Sequence, residues 1–151
     1  MKKNDVLKLE NQLCFSVYAA SRAITKIYRP FLDEIGVTYP QYLVMLVLWE
    51  NNVITLKDLG NKLYLDSGTL TPLLKRLEHM ELIKRERSKE DERLLCVTIT
   101  QKGVDLKKSA AKIPGCVLAG LSTDVGALMN LKSEIDGLLN NVKTQEEKVK
   151  N

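Results

Sequence analysis

The sequence predicts a mainly α-helical protein with a small β-wing, in the α+β class. Apolar residues recur at helical spacings of three and four over most of the chain, whereas two short segments near the middle alternate with a period of two. The 151 residues are 44% hydrophobic and 28% charged, which is ordinary for a globular protein with a real core. We therefore expect a single domain spanning residues 1–151.

The first predicted helix is amphipathic. Pro30 disfavours helical geometry at the residue before it, so this helix is expected to end near residue 30. Its apolar stripe is formed by Leu13, Val17, Ala20, Ile24 and Ile27.

A second helix is predicted to begin after Thr38, which has the character of an N-cap and is followed by Pro40 in the first turn. The stretch Tyr42–Trp49 is apolar nearly all round. Such a helix is buried on every side, so it should lie at the centre of the core.

Two short helices follow, joined by a tight turn. Thr55–Asp58 is a capping-box pattern that opens a helix ending at Leu63, and Asp66 can cap a second helix that runs to about Met80. With the turn near Tyr64, this arrangement predicts a helix-turn-helix.

The period then changes from helical to alternating. Ile83–Arg87 and Leu94–Thr100 are predicted strands, separated by the polar run Ser88–Arg93. A charged hairpin after a helix-turn-helix is a wing, so residues 54–100 are expected to form a winged helix-turn-helix. Charge alone does not identify its partner: the net charge is only +4, and an ordinary solvated hairpin would explain the charged run equally well.

Helical patterning is expected to return after Gly103. Near the end of the chain a further apolar seam steps by three and four: Leu128, Leu131, Ile135, Leu138 and Val142. Helices with such seams at both ends of a winged core predict a homodimer, joined through residues 5–30 and 104–145.

Several classes of function are disfavoured. The longest apolar run has eight residues, too few for a membrane span, and the chain starts with a charged stretch rather than a signal core. The three cysteines are an odd number at wide spacings, which indicates free thiols in the cytoplasm. With one histidine, no paired-cysteine motif and no glycine-rich phosphate loop, we expect no metal and no cofactor.

The order of elements, the stretch Leu65–Glu78 and the wing segment Asp91–Arg93 resemble the MarR family of bacterial transcription regulators. More narrowly, Leu9–Phe15, Thr38–Tyr42 and Tyr64–Pro72 are similar to its organic-hydroperoxide-sensing (OhrR-type) repressors. The resemblance covers about residues 8–120. It implies a DNA-binding repressor that is not an enzyme, with an organic hydroperoxide as effector.

The resemblance and the residue types together predict the DNA contacts. Short hydroxyls early in the recognition helix can approach base edges, and basic residues suit the phosphates that position the protein. The partner would be a pseudo-palindromic double-stranded operator. Arg93 resembles the family's minor-groove arginine, and Asp91 is expected to orient its guanidinium. The other predicted contacts are Ser67, Thr69 and Thr71 on base edges and Lys75, Arg76, Lys84, Arg85, Arg87 and Lys89 on the backbone.

Cys14 lies at the edge of the first apolar stripe, and periodicity alone favours a buried structural cysteine. The resemblance implies instead that Cys14 is the peroxide-sensing thiol, with Tyr28 and Tyr39 matching tyrosines near it and Tyr18 one turn away. The dipole of Cys14's own helix is expected to contribute little, because the residue is predicted to lie well inside the helix.

Tyr28 follows Cys14 by fourteen residues, about 21 Å along a continuous helix at ~1.5 Å per residue, so it cannot reach the thiol of its own chain. An antiparallel pairing of first helices would bring it over from the partner subunit. Phenol hydroxyls would stabilise the reactive thiolate. Tyr42 and Tyr64 are interpreted as packing residues.

Oxidised Cys14 would become a sulfenic acid, capped by a low-molecular-weight thiol or by Cys116. We favour the external thiol, although Pro114-Gly115 is expected to interrupt helical geometry and leave Cys116 on a mobile segment. Cys96 is interpreted as structural.

Two alternatives stay open at this point. One is a regulator of the same fold that binds a small aromatic or anionic ligand without thiol chemistry. The other, a thiol peroxidase, is disfavoured because the sequence has no dithiol motif and no predicted cysteine at a helix N-terminus.

Glu81 departs from the family pattern, which has glycine after the recognition helix. If that backbone is left-handed, a non-glycine residue costs about 1 kcal/mol.

Overall fold

The helices and strands follow the predicted order. The computed structural model describes residues 5–150, so the extreme start of the chain, included in the prediction that no signal segment is present, lies outside the described part. The chain forms two compact units, Met1–Ile113 and Pro114–Asn151. Among the described residues, none of the helices has the length and apolar character needed to span a bilayer.

Helix α1 extends over Leu13–Glu34, preceded by a single 3-10 turn at Leu9–Asn11. The predicted end near Pro30 is wrong, since α1 continues past the proline by one turn. Burial explains why: Leu32 is 2% exposed, and its carbonyl oxygen accepts hydrogen bonds from the backbone of Ile35 and Val37. The predicted helical start near residue 5 is also too early.

Helix α2, Tyr39–Asn51, begins as predicted. Thr38 and Gln41 form a capping box, and the backbone N–H of Thr38 donates to Gln41 Oε1 at 2.8 Å. The helix lies at the centre of the core, with its largest buried side chains between 0% and 3% exposed: Tyr42, Val44, Met45 and Leu48.

Helices α3, Leu56–Leu63, and α4, Ser67–His79, form the predicted helix-turn-helix. The Thr55 and Asp66 side chains cap them by accepting hydrogen bonds from the backbone of Asp58 and Thr69. Tyr64 adopts the left-handed conformation, with φ 57°, and so makes the tight turn between the helices.

The wing is a three-stranded antiparallel sheet in the order β1-β3-β2. Strands β2, Ile83–Arg87, and β3, Leu95–Ile99, match the predicted hairpin, and β1, Val53–Thr55, was not predicted. Three residues are too few to show an alternating pattern, which is why β1 has no clear signal in the sequence.

Helix α5, Gln101–Ala110, begins before Gly103, because Thr100 caps it by accepting from the Gly103 backbone at 3.1 Å. Helix α6 spans Ile113–Leu121, so the predicted interruption at Pro114-Gly115 is wrong. A proline is tolerated in a first helical turn because its missing N–H has no intrahelical partner there.

Helix α7, Val125–Lys150, carries the predicted C-terminal seam. Its larger apolar side chains are exposed within this chain, between 41% and 60%: Val125, Met129, Leu131, Ile135, Leu138 and Val142. The segments predicted to dimerise thus correspond to α1 and to α5, α6 and α7.

Candidate nucleic-acid interface and thiol site

Helix α4 has two distinct faces. Leu70, Leu74 and Leu77 are fully buried against the core, and the opposite face is polar. Of the predicted contacts on that face, four are exposed and Thr71 is half-buried; the exposed ones are Ser67, Thr69, Lys75 and Arg76.

The two threonine hydroxyls of α4 donate within the helix. Thr69 Oγ1 donates to Asp66 Oδ2 at 3.0 Å, and Thr71 Oγ1 donates to the Ser67 carbonyl at 2.7 Å. Hydrogen bonds from the Thr69 backbone and hydroxyl hold the pKa of Asp66 below its usual value. In this arrangement the threonine oxygens are available as acceptors, for base donors such as the cytosine amino group.

At the tip of the wing, Asp91 orients Arg93 as predicted. Nε and Nη2 of Arg93 donate to the two carboxylate oxygens of Asp91 at 3.1 Å and 3.4 Å. These bonds lower the pKa of Asp91. The Arg93 side chain is nevertheless 91% exposed, so it is held in direction while remaining free to enter a groove.

The other basic residues of the wing are not equivalent. Lys84, Arg87 and Lys89 are all exposed, but Arg87 Nη1 donates to the Glu92 carbonyl at 2.6 Å within the wing loop. Arg85 is paired with Glu78 of α4. The sequence predicted all four as phosphate contacts, but the two arginines are engaged within the protein.

A cleft of about 410 Å³ lies between α3, the start of α4 and the wing. Leucine side chains contribute much of its lining, and its polar lining includes Lys57, Asn61, Ser67 and Arg93. Lys57 and Asn61 were not predicted. They are four residues apart on the exposed face of α3, and this helical spacing is the signal that could have identified them.

Cys14 is exposed and is the second residue of α1. The expectation that it lies well inside the helix is wrong. The sequence did not indicate this start because the N-cap is Gln12, a residue type that rarely caps, and its side chain donates backwards to the carbonyls of Val6 and Lys8 at 2.6 Å and 3.1 Å. Helix α1 therefore has no side-chain cap, and the positive end of its dipole favours an anion near Cys14.

Tyr28 and Tyr39 lie together, with ring centroids 4.9 Å apart in an edge-to-face arrangement. Burial raises the pKa of both phenols, so they stay protonated and able to donate at neutral pH. Tyr42 packs between Tyr28 and Trp49, with its ring centroid 6.0 Å and 6.1 Å from theirs. This agrees with its predicted packing role. Tyr64 is 54% exposed.

Tyr18 occupies a separate position on α1, one turn after Cys14. Its hydroxyl oxygen accepts a hydrogen bond from Arg22 Nη1 at 3.2 Å, and the guanidinium carbon lies 5.5 Å from the ring centroid. Arg22 was not predicted. The remaining thiols, Cys96 in β3 and Cys116 in α6, are half-buried.

Comparison with known proteins identifies the family of this chain. The family model described as "Transcriptional regulator SarA/Rot" matches residues 26–110. The organic hydroperoxide resistance transcriptional regulator of Bacillus subtilis (strain 168) is 54% identical over 138 residues, 91% of this chain and 93% of the relative. This chain belongs to that family of transcriptional regulators.

Two solved structures of a family relative, AbfR of Staphylococcus epidermidis, are similar over nearly the whole chain. Reduced AbfR bound to DNA has a TM-score of 0.80 at 38% identity, covering 95% of this chain and 98% of AbfR. AbfR with a formed disulfide has a TM-score of 0.60 at 39% identity, covering 96% and 97%. The winged-helix fold and the resemblance to hydroperoxide-sensing repressors are thereby confirmed.

Proposed function

We propose that this protein is a homodimeric, cytoplasmic repressor that binds a pseudo-palindromic duplex operator and releases it when an organic hydroperoxide oxidises Cys14. The observation that carries this proposal is the exposed, uncapped position of Cys14 in a chain 54% identical to an organic hydroperoxide resistance regulator.

On the DNA side, α4 enters the major groove of each half-site and the wing reaches the adjacent minor groove. Ser67, Thr69 and Thr71 approach base edges, while Lys75 and Arg76 contact phosphates on the same exposed face. Lys57 and Asn61, which line the cleft between α3 and the wing, add contacts to the DNA backbone. Neutralised phosphates make this binding depend on salt.

The chemical step is a two-electron oxidation of the thiolate. The sulfur attacks the terminal peroxide oxygen of ROOH, the O–O bond breaks, and the alkoxide takes up a proton to leave as ROH. The product is a Cys14 sulfenic acid. A small thiol then forms a mixed disulfide with it, and the sulfenic oxygen leaves as water.

Both the start of α1 and the tyrosine pair support this chemistry. Cys14 is exposed at the uncapped start of α1, and protonated Tyr28 and Tyr39 of the partner subunit can donate hydrogen bonds to its sulfur. Loss of those bonds, together with the bulk of a cap, would move the two recognition helices away from a half-site spacing of about 34 Å.

A specific observation keeps ligand sensing as a second candidate. A cavity of about 340 Å³ lies beside Tyr39 and is lined by Arg29, Leu32 and Val37, among others. Asp33 also lines this cavity and pairs with Arg29 at 3.9 Å, so a small aromatic ligand could fit between the ion pair and the apolar walls. In that case Cys14 would be dispensable.

The test is DNA release measured before and after cumene hydroperoxide, for wild type and Cys14→Ser. Serine keeps the size of the side chain and removes its redox chemistry, so the variant should bind DNA and no longer release it. Release of the variant at the wild-type dose would exclude thiol sensing. Counting peroxide consumed per subunit separates a sensor, which reacts once, from a peroxidase, which turns over; Cys14 at a helix start makes this control necessary.

A further inference from the structure

Glu78 and Arg85 join the recognition helix to the wing. The backbone N–H of Arg85 donates to Glu78 Oε1 at 3.0 Å, and the guanidinium donates to Oε2 through Nε at 2.9 Å and Nη2 at 2.5 Å. Glu78 belongs to the last turn of α4, and Arg85 is the central residue of β2. Both carboxylate oxygens of Glu78 are therefore used to hold the wing.

The pair is also partly shielded from water. The Arg85 side chain is 20% exposed and that of Glu78 36%, against 91% for Arg93 at the wing tip. The hydrogen bonds from Arg85 hold the pKa of Glu78 below its usual value, so the carboxylate is ionised at neutral pH. Charge-assisted, two-point bonds of this kind fix orientation as well as distance.

We infer that Glu78 and Arg85 form a brace that sets the wing against the recognition helix, and that Arg85 is a positioning residue for DNA binding rather than a phosphate contact. The inference rests on the DNA-binding role proposed above. It assigns to Glu78, an acidic residue on a DNA-binding helix, a positive contribution to affinity.

The geometry of the wing explains why a brace is needed. Helix α4 and Arg93 must reach two different grooves at once. Helix α4 is joined to the wing by the short connection Met80–Leu82. The chain turns back at the wing tip, where the Ser88 backbone bonds to Leu94, next to Arg93. Since Ser88 follows Arg85 by three residues, at ~3.3 Å per residue Arg93 lies roughly 10 Å beyond Arg85. A tilt of about 10° at the brace would therefore move Arg93 by nearly 2 Å, enough to lose a hydrogen bond.

A brace and a direct phosphate contact predict different changes in DNA affinity and in its dependence on salt concentration. Removing an acidic side chain from a DNA-binding face should strengthen binding if charge alone matters. If Glu78 is a brace, Glu78→Gln should instead weaken it, by roughly tenfold. Losing a phosphate contact flattens the dependence of log Kd on log salt by about 0.9. Losing the brace costs Arg93 a hydrogen bond but moves its charge by only about 2 Å, far less than the Debye length of ~8 Å at physiological salt, so the slope should stay unchanged.

The experiment uses a duplex that the full-length wild type selects from a random-sequence pool. Kd is measured at several salt concentrations for Glu78→Gln, Arg85→Ala and the exchanged pair Glu78→Arg with Arg85→Glu. Lys84→Ala is the matched control for a lost phosphate contact, because Lys84 is an exposed cation next to Arg85 on β2. It should flatten the salt dependence, as Arg85→Ala would if Arg85 bound a phosphate. We expect both single variants to bind about tenfold more weakly with the wild-type slope, and the exchanged pair to recover part of the loss.

Two results would refute the brace without affecting the proposed DNA-binding function. One is that Glu78→Gln binds DNA as well as or better than wild type, and the other is that Arg85→Ala has a reduced salt slope. Thermal unfolding of each variant identifies any loss of fold, and Glu78→Gln, the milder change, then decides. Wild type that selects no duplex would refute the proposed function, and the brace with it.

Discussion

The indole nitrogen of Trp49 donates a hydrogen bond to the carbonyl oxygen of Gly103 at 2.8 Å, which ties α2 to the first turn of α5. The contact depends on a very close approach. A Cβ added to Gly103 would lie 2.3 Å from the Leu82 carbonyl oxygen and 2.7 Å from Ile99 Cγ1. Glycine is thus required at position 103, because any larger side chain would collide with Leu82 and Ile99.

Gly103→Ala should therefore lower the free energy of unfolding by about 3 kcal/mol, because the Leu82 backbone cannot move aside without disturbing the sheet. Urea unfolding measures this. Gly115→Ala is the control, since nothing lies within 4 Å of the Cβ it would add, and it should be neutral or stabilising. Equal stabilities for the two variants would contradict the close packing.

Glu81 adopts a left-handed conformation, with φ 62°, as the departure from the family glycine suggested. Glu81→Gly should raise the free energy of unfolding by about 1 kcal/mol by relieving that strain. Glu81→Ala separates this effect from the exposed ion pair with Lys102, because alanine loses the ion pair and keeps the Cβ. An alanine variant as stable as the glycine variant would show that the change comes from removing the Glu81 side chain rather than from relief of the left-handed backbone.

The lowered pKa of Glu78 makes stability depend on pH. A carboxyl whose folded pKa lies below its unfolded value of about 4.3 stabilises the fold above that value, and the contribution is lost as pH falls through the folded pKa. Glu78→Gln should flatten the acid limb of the stability curve below about pH 4. Glu86→Gln, the same substitution at an exposed position of β2, is the control for the change of residue type itself.

Arg93→Ala and Lys75→Ala should weaken DNA binding while leaving thermal unfolding unchanged, because both side chains are exposed. A lost phosphate contact at Lys75 should also flatten the salt dependence by about 0.9. Lys132→Ala, on α7, is the control for loss of a positive charge outside the interface. Wild-type affinity in either interface variant at every salt concentration would remove that residue from the interface.

The fate of oxidised Cys14 depends on which thiol reaches it. Cys116 is half-buried in α6 rather than on a mobile segment, so we expect an external small thiol to cap the sulfenic acid. Purified protein given hydroperoxide alone should then run as a monomer on non-reducing denaturing gels. A covalent dimer that Cys116→Ser abolishes would establish instead a disulfide mechanism, and a disulfide form is known for AbfR.

Local signals were enough to predict most of the fold. Capping residues such as Thr38 and Thr55 located the helix starts, and the change of period located the hairpin. The failures occurred where tertiary packing outweighed a local preference: burial of Leu32 carries α1 past Pro30.

The site was predictable by residue type but not by partner. Exposed hydroxyls and cations on α4 follow from helical periodicity, whereas the pairing of Arg85 with Glu78 joins two elements and leaves no pattern in the sequence. The start of α1 at Leu13 was missed for a similar reason. The residues before it, Asn11 and Gln12, donate side-chain hydrogen bonds back to the carbonyls of Asp5 and Val6, and the N-cap Gln12 is a residue type that rarely caps.

The two faces of α4 also bear on how such a regulator can diverge. Stability depends on the leucines of the inner face, whereas the proposed DNA recognition would depend on the hydroxyls and cations of the outer face. After gene duplication, a copy could therefore change its outer residues and acquire a new operator with little change in its free energy of unfolding. Mutational drift at Ser67 or Lys75 should then appear as altered target choice, whereas drift at Leu74 should appear as loss of the protein itself.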